Sequence, residues 1–294
     1  RGARRGRGRH HRSRLGRRSA GRGRRGHRRG ARGPFGRGPV GVAVPVRVRI
    51  DLAYDGSGFA GFARQRGQRT VQGVLEDALT RLSGAEVQIV GAGRTDRGVH
   101  ASRQVAHGDV PAAARLLHDL DRARTALDKL CGPQITIWRL RRVPASFDAR
   151  FSATQRRYRY RLCDAAAMDP SWRHDTWHLG PPHLDVEAMD AGAAQLVGEH
   201  DFSSFCRRRD DQHLIRRVDR LFVRRRPAGL VVLGIEGKAF CHQMVRSLTG
   251  CLVAVGRGRH APEWVADVLA ARNRQAAGQI APPHGLTLTG VRYT

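Results

Sequence analysis

Val46, Val48, Ile50, Leu52 and Tyr54 alternate with Arg47, Arg49, Asp51 and Ala53, and shortly afterwards the apolar period changes. Period two over nine residues predicts a half-buried strand. Asp55-Gly56-Ser57-Gly58 ends it as a turn, and Thr70 then has the character of a helix N-cap. Val71, Val74, Leu75, Ala78, Leu79 and Leu82 follow at i, i+3, i+4, i+7, i+8 and i+11, which predicts an amphipathic helix. A short apolar run (Val87, Ile89, Val90) and a strand from Gln104 to Val110 come next. Pro111 opens a second helical pattern, Ala112 to Leu130, and Gln134 to Val143 reads as another strand.

Strand, helix, strand, strand, helix, strand is the split βαβ order of ferredoxin-like and RNA-recognition folds. The second half repeats the theme. Arg156 to Cys163 alternates, Asp185 can cap a helix, and Arg216–Arg225 and Leu230–Glu236 read as a hairpin. A mainly apolar helix spans about Phe240 to Val255, a short one follows Pro262, and Leu286 to Tyr293 closes the chain as a strand. The expected class is α+β: two ferredoxin-like, RRM-like halves (45–147 and 148–294), mainly antiparallel, with their sheets side by side around a basic central cleft.

Residues 1–44 differ from everything after them. Sixteen arginines and eleven glycines fall in the first 38 positions, and no acidic residue precedes Asp51. With so little apolar material, no core can offset the entropy of ordering, so this tail is expected to be disordered. Two readings of it stand: a sequence-blind RNA-binding arm, or translated sequence lying upstream of the genuine start. The whole chain carries 54 Lys+Arg against 25 Asp+Glu, a net charge of +29, and the body stays strongly basic without the tail. A guanidinium grips phosphate in a fork, so nucleic acid is the expected partner. The chain has no apolar run of eighteen residues, so no membrane partner is expected, and the protein is read as cytoplasmic. Cys131, Cys163, Cys206, Cys241 and Cys251 lack CxxC spacing and are read as reduced thiols. No metal site is expected, because the histidines form no HExxH pattern.

Four features draw a chemical reading. In Gly91-Ala92-Gly93-Arg94-Thr95-Asp96-Arg97-Gly98-Val99-His100-Ala101, glycines bracket an acidic residue flanked by cations. This is either a hairpin turn that contains Asp, a residue turns favour, or a loop built for close approach. Tyr158 stands among arginines in Arg156-Arg157-Tyr158-Arg159-Tyr160, either as a base-stacking ring between phosphate-binding cations or as part of a core-facing stripe with a solvated Arg face. Arg246 interrupts an otherwise apolar helix, where it either snorkels to solvent or pairs with a carboxylate such as Asp96. His242 on the same helix reads as a structural histidine rather than a general acid or base.

These stretches together resemble the TruA-type tRNA pseudouridine synthases. GAGRTDRGVHA (91–101) is similar to the catalytic motif, and the resemblance continues in family order through YDGSGFAGFARQ, TVQGVLEDAL, SFDARFSATQRRYRY, LVGEHDFSSF, GKAFCHQMVRSLTG and APPHGLTLTGVRY, from about residue 45 to the end. It implies the pseudouridine synthase fold, an isomerase that converts uridine to pseudouridine at positions 38, 39 and 40 of the tRNA anticodon stem-loop, a homodimer, and no cofactor or metal. Position by position, it implies that Asp96 is the catalytic nucleophile or base. Tyr158 stacks on the target uracil and is a candidate for assisting proton removal, Arg94 helps to flip the nucleotide, and Arg246 pairs with the aspartate. The pattern is departed from at Phe62, where the family often has Trp, at Asp148, where His is common, and in LDKLCGPQI (127–135). Two alternatives remain at this level: a non-catalytic RRM-like RNA-binding protein, and a synthase acting on other RNAs.

Overall fold

A computed structural model describes residues 44–207 and 213–294. The predicted tail, apart from Val44, lies outside the described residues. The residues described from 44 onward belong to one compact unit.

The first half runs β1 (Val46–Tyr54), α1 (Val71–Ser83), β2 (Ile89–Gly91), β3 (His100–Val110), α2 (Leu120–Cys131) and β4 (Ile135–Arg142). Thr70 caps α1 by accepting from the Gly73 N–H, as its position predicts. The second helix is shorter than its apolar pattern. Asp119 accepts from the Arg122 N–H and starts α2 there, while Arg115–Leu117 make a separate 3-10 turn. The second half holds β5 (Ala153–Cys163), β6 (Trp177–His178), α3 (Val186–Ala194), β7 (Gly198–Asp201), β8 (Ile215–Arg225), β9 (Leu230–Gly237), α4 (Met244–Gly256), α5 (Trp264–Ala271) and β10 (Leu286–Tyr293). The apolar pattern from 240 overshoots the start of α4, because Gln243 adopts a left-handed φ of 67° and only then does the helix begin.

The ten strands among the described residues form one sheet. Its path is β4-β1-β3-β10-β5-β9-β8-β7, with β2 on β3 and β6 on β5. Within the first half the order is β4-β1-β3-β2, and within the second it is β10-β5-β9-β8, so the same arrangement occurs twice. Most pairings are antiparallel; β5 with β6 is parallel, and so is the short join between halves, β3 to β10 (Thr287 with His100, Leu288 with Ala101). On the same side of β3, β2 pairs further along, with Ala106 to Gly108. The segment linking β2 to β3 therefore emerges where β2 stops and β10 begins, at the seam between the halves.

Two cores lie beneath the helices. Ile50, Leu52, Leu75, Leu79, Leu127 and Ile137 anchor the first; Tyr160, Leu162, Leu233, Ile235, Leu248 and Leu252 anchor the second. Full burial of each such side chain contributes about 1.5–3 kcal/mol. The halves exchange residues: Val99 joins the second core, Leu288 joins the first, and Tyr158 packs against both. The cysteines correct the sequence reading. Cys206 and Cys241 are joined as a disulfide, their Cα atoms 5.8 Å apart, while Cys131, Cys163 and Cys251 are free and buried. The fold brings together two cysteines 35 residues apart, a proximity that spacing along the chain does not reveal.

Candidate active site

The turn from 92 to 99 is braced from below. Gln104, fully buried on β3, donates to the Gly93 carbonyl (2.9 Å) and to the Tyr54 hydroxyl (3.2 Å), and the Tyr54 and Thr95 hydroxyls lie 2.8 Å apart. The Phe62 N–H donates to the Thr95 carbonyl, and the Val99 N–H closes the turn on the Asp96 carbonyl. Gly98, at φ +78°, provides the left-handed residue this closure needs. Arg156 supports the other side. Its Nε and Nη2 both donate to the Ala92 carbonyl (3.0 and 2.7 Å), and its remaining N–H groups reach the carbonyls of Arg150 and Lys238. Arg156 is thus a buried cation held by carbonyl oxygens, and that burial pulls its pKa below the ordinary value.

Braced in this way, the turn presents Asp96 to α4. Arg246 Nη1 lies 3.2 Å from Asp96 Oδ2, and His242 Nε2 lies 3.3 Å from Oδ1. Arg246 is itself fixed, since its Nε donates to the Ala281 carbonyl at 2.8 Å. Of the two sequence readings of Arg246, the pairing with Asp96 is the one realised. His242, which reads in sequence as a structural histidine, meets the same carboxylate. A spacing of four between His242 and Arg246 was the available signal.

Tyr158 completes the group. The place a Gly93 Cβ would occupy is 3.3 Å from the Tyr158 hydroxyl, so the group that the glycine admits is this phenol. Burial pushes the Tyr158 hydroxyl up to about 12; Arg156 opposes the rise and the nearby Asp96 charge adds to it. At neutral pH it is an O–H donor on an uncharged ring. Phe240 meets that ring edge-on, with centroids 5.4 Å apart. The arginines flanking Tyr158 in sequence do not flank it in space. Arg157 and Arg159 are exposed and, by strand alternation, project from the opposite face of the sheet. Arg94 is exposed beside Asp96, and no hydrogen bond or ion pair among the described residues engages its side chain.

The three departures from the family pattern have local accounts. Phe62 is fully buried, with its ring filling the space a Gly91 side chain would need, so it is a packing residue. Asp148 caps a turn by accepting from the Arg150 and Phe151 N–H groups (2.7 and 2.8 Å). In the 127–135 segment, Leu127 and Cys131 are buried, and the Gln134 carbonyl accepts from the Asp55 N–H. Among the described residues, no group of three or more His, Cys, Asp or Glu side chains is arranged to hold a metal ion, and no helix is long and apolar enough to cross a membrane.

Comparison with known proteins bears on what such a turn is for. The model of a family described as tRNA pseudouridine synthase matches residues 52–152 and 193–294. A protein named tRNA pseudouridine synthase A from Frankia casuarinae is 52% identical over 252 residues, covering 84% of this chain and 89% of the relative. Its namesake from Streptomyces griseus subsp. griseus is 46% identical over 253 residues, covering 84% and 88%. Among solved structures, the archaeal box H/ACA sRNP Nop10-Cbf5 complex overlaps loosely, at 12% identity and a TM-score of 0.33 over 87% of this chain and 50% of that chain.

Proposed function

The chain belongs to the tRNA pseudouridine synthase family, an isomerase family acting on tRNA, and from that premise we propose that it modifies uridines 38, 39 and 40 of the anticodon stem-loop with Asp96 as the reacting carboxylate. The observation that carries the proposal is the grip on Asp96: Arg246 of α4 at one oxygen and His242, just ahead of α4, at the other, with a neutral aromatic ring alongside.

The reaction fits these residue types. The C1′–N1 bond breaks, the uracil turns, C5 joins C1′, and the proton lost from C5 balances the one gained at N1. No electrons leave or enter. A carboxylate serves as nucleophile or base, and an adjacent guanidinium favours its ionised, aimed form. The target lies in a stacked stem-loop, so it must first be flipped out at a cost of a few kcal/mol. Arg94, exposed at the turn, is suited to fill the vacated place. The Tyr158 ring is suited to stack on the detached uracil, and its protonated phenol makes it a donor rather than a proton acceptor near neutral pH. Assembly as a homodimer in the cytoplasm, implied by the family resemblance, belongs to the same proposal and is checked by the mass in solution.

The test is a map of pseudouridine in tRNA incubated with the enzyme. New pseudouridine at positions 38 to 40 is expected. Modification confined to another arm, or to another RNA, would refute the site assignment.

A further inference from the structure

We propose that His242 is a positioning residue for Asp96, acting with Arg246 to stop the carboxylate from turning about its Cβ–Cγ bond. The inference rests on Asp96 being the reacting carboxylate. The terminal torsion of an aspartate is broad and soft, so a single partner does not define the plane of its oxygens. Arg246 is a single partner here. Only Nη1 reaches Oδ2, because Nε is committed to the Ala281 carbonyl, and a two-pronged fork on the carboxylate is not made. His242 Nε2, 3.3 Å from Oδ1, provides the second point. With each oxygen facing its own donor, the carboxylate keeps one orientation toward an incoming nucleotide, and orientation of this kind is a large component of catalysis.

The surroundings of His242 are built to hold it still. The preceding residue, Cys241, is tied covalently to Cys206. The His242 carbonyl accepts from the Arg207 N–H at 3.0 Å. The following residue, Gln243, occupies the left-handed region at φ 67°, a conformation that non-glycine residues hold mainly where the surroundings impose it, often at functional sites. The Met244 N–H then donates to the Cys241 carbonyl and the helix begins. His242 therefore sits on a ledge anchored on both sides, one turn ahead of Arg246.

The experiment is steady-state kinetics of pseudouridine formation on tRNA by the parent, His242→Ala and His242→Gln, with thermal unfolding of each. Gln places an amide N–H where Nε2 lies, without the imidazole. The expectation for Ala is a kcat lowered about tenfold to a hundredfold, the usual range for removing a hydrogen-bond donor from a charged group, with KM for tRNA changed less than about twofold. The Gln variant should recover most of the lost kcat. Ala kcat within about twofold of the parent overturns the proposal, as does a loss that Gln leaves unrecovered at an unchanged Tm. If Ala does not fold, His242→Leu takes its place under the same criteria. Absence of pseudouridine formation by the parent would sink the functional reading instead, which separates the two failures.

Discussion

Asp96 and Asp164 show how differently two arginine-paired carboxylates can be used. Asp164, fully buried just after β5, meets four donors: His183 Nδ1 and Arg225 Nη1 at one oxygen, the Leu184 N–H and Arg225 Nη2 at the other, all within 3.1 Å. Burial alone would raise its pKa, but Arg225, Leu184 and His183 outweigh that and hold it at about 2. Nothing is left over for a ligand; Asp164 is a structural tie between the end of β5, the segment leading into α3, and β8. Asp96, by contrast, is about one-fifth exposed and has a single side-chain nitrogen near each oxygen, Arg246 Nη1 at one and His242 Nε2 at the other. The sign of the Asp164 effect follows from its depressed pKa. Its stabilisation is complete above the unfolded value of about 4 and is lost as pH falls through the folded value. Asp164→Asn should therefore cost roughly 2 kcal/mol near neutral pH. Denaturant melts at stepped pH should show the gap between variant and parent closing between about pH 4 and pH 2. A gap that persists unchanged at pH 2 would contradict this account.

The elements that carry the site are the turn between β2 and β3 and the entry to α4. Strands and helices with a clean apolar period were legible in the sequence: β1, α1, β5, β9 and β10 lie close to where alternation or the i, i+3, i+4 pattern puts them. Thr70 and Asp185 were legible as caps because a short oxygen side chain precedes an apolar run. What escaped has a physical reason. Gly-Glu-His-Asp at 198–201 is a strand only because β8 pairs with it, and no apolar alternation marks it. Nor does an apolar period reveal the backward turn at Gln243, which delays α4 and sets His242 outside the helix. A left-handed glutamine is strained by about 1–2 kcal/mol, and glycine there returns part of the gain as unfolded-state entropy. Gln243→Gly should thus stabilise the fold by about 0.5–1 kcal/mol in chemical denaturation. A loss of that size would show instead that the glutamine side chain holds something the backbone does not.

At the scale of the whole molecule, one strand arrangement is used twice and joined by a single parallel contact, β3 against β10. The repeat was legible from element order, since strand-helix-strand-strand-helix-strand has few compact solutions. The join was not, because only two residue pairs make it and neither strand announces it in sequence. The grouping at the seam was half legible. The Arg246 pairing was among the sequence readings, whereas the props beneath the turn (Tyr54, Gln104, Arg156) are polar residues whose partners lie 6 to 82 positions away. The proposed role of this seam is to hold one carboxylate against a flipped uridine. The most direct test is pseudouridine formation by Asp96→Asn beside the parent, with tRNA affinity measured in the same buffer. Turnover should fall below detection while affinity stays within a few-fold. Turnover by Asp96→Asn near the parent rate would contradict it.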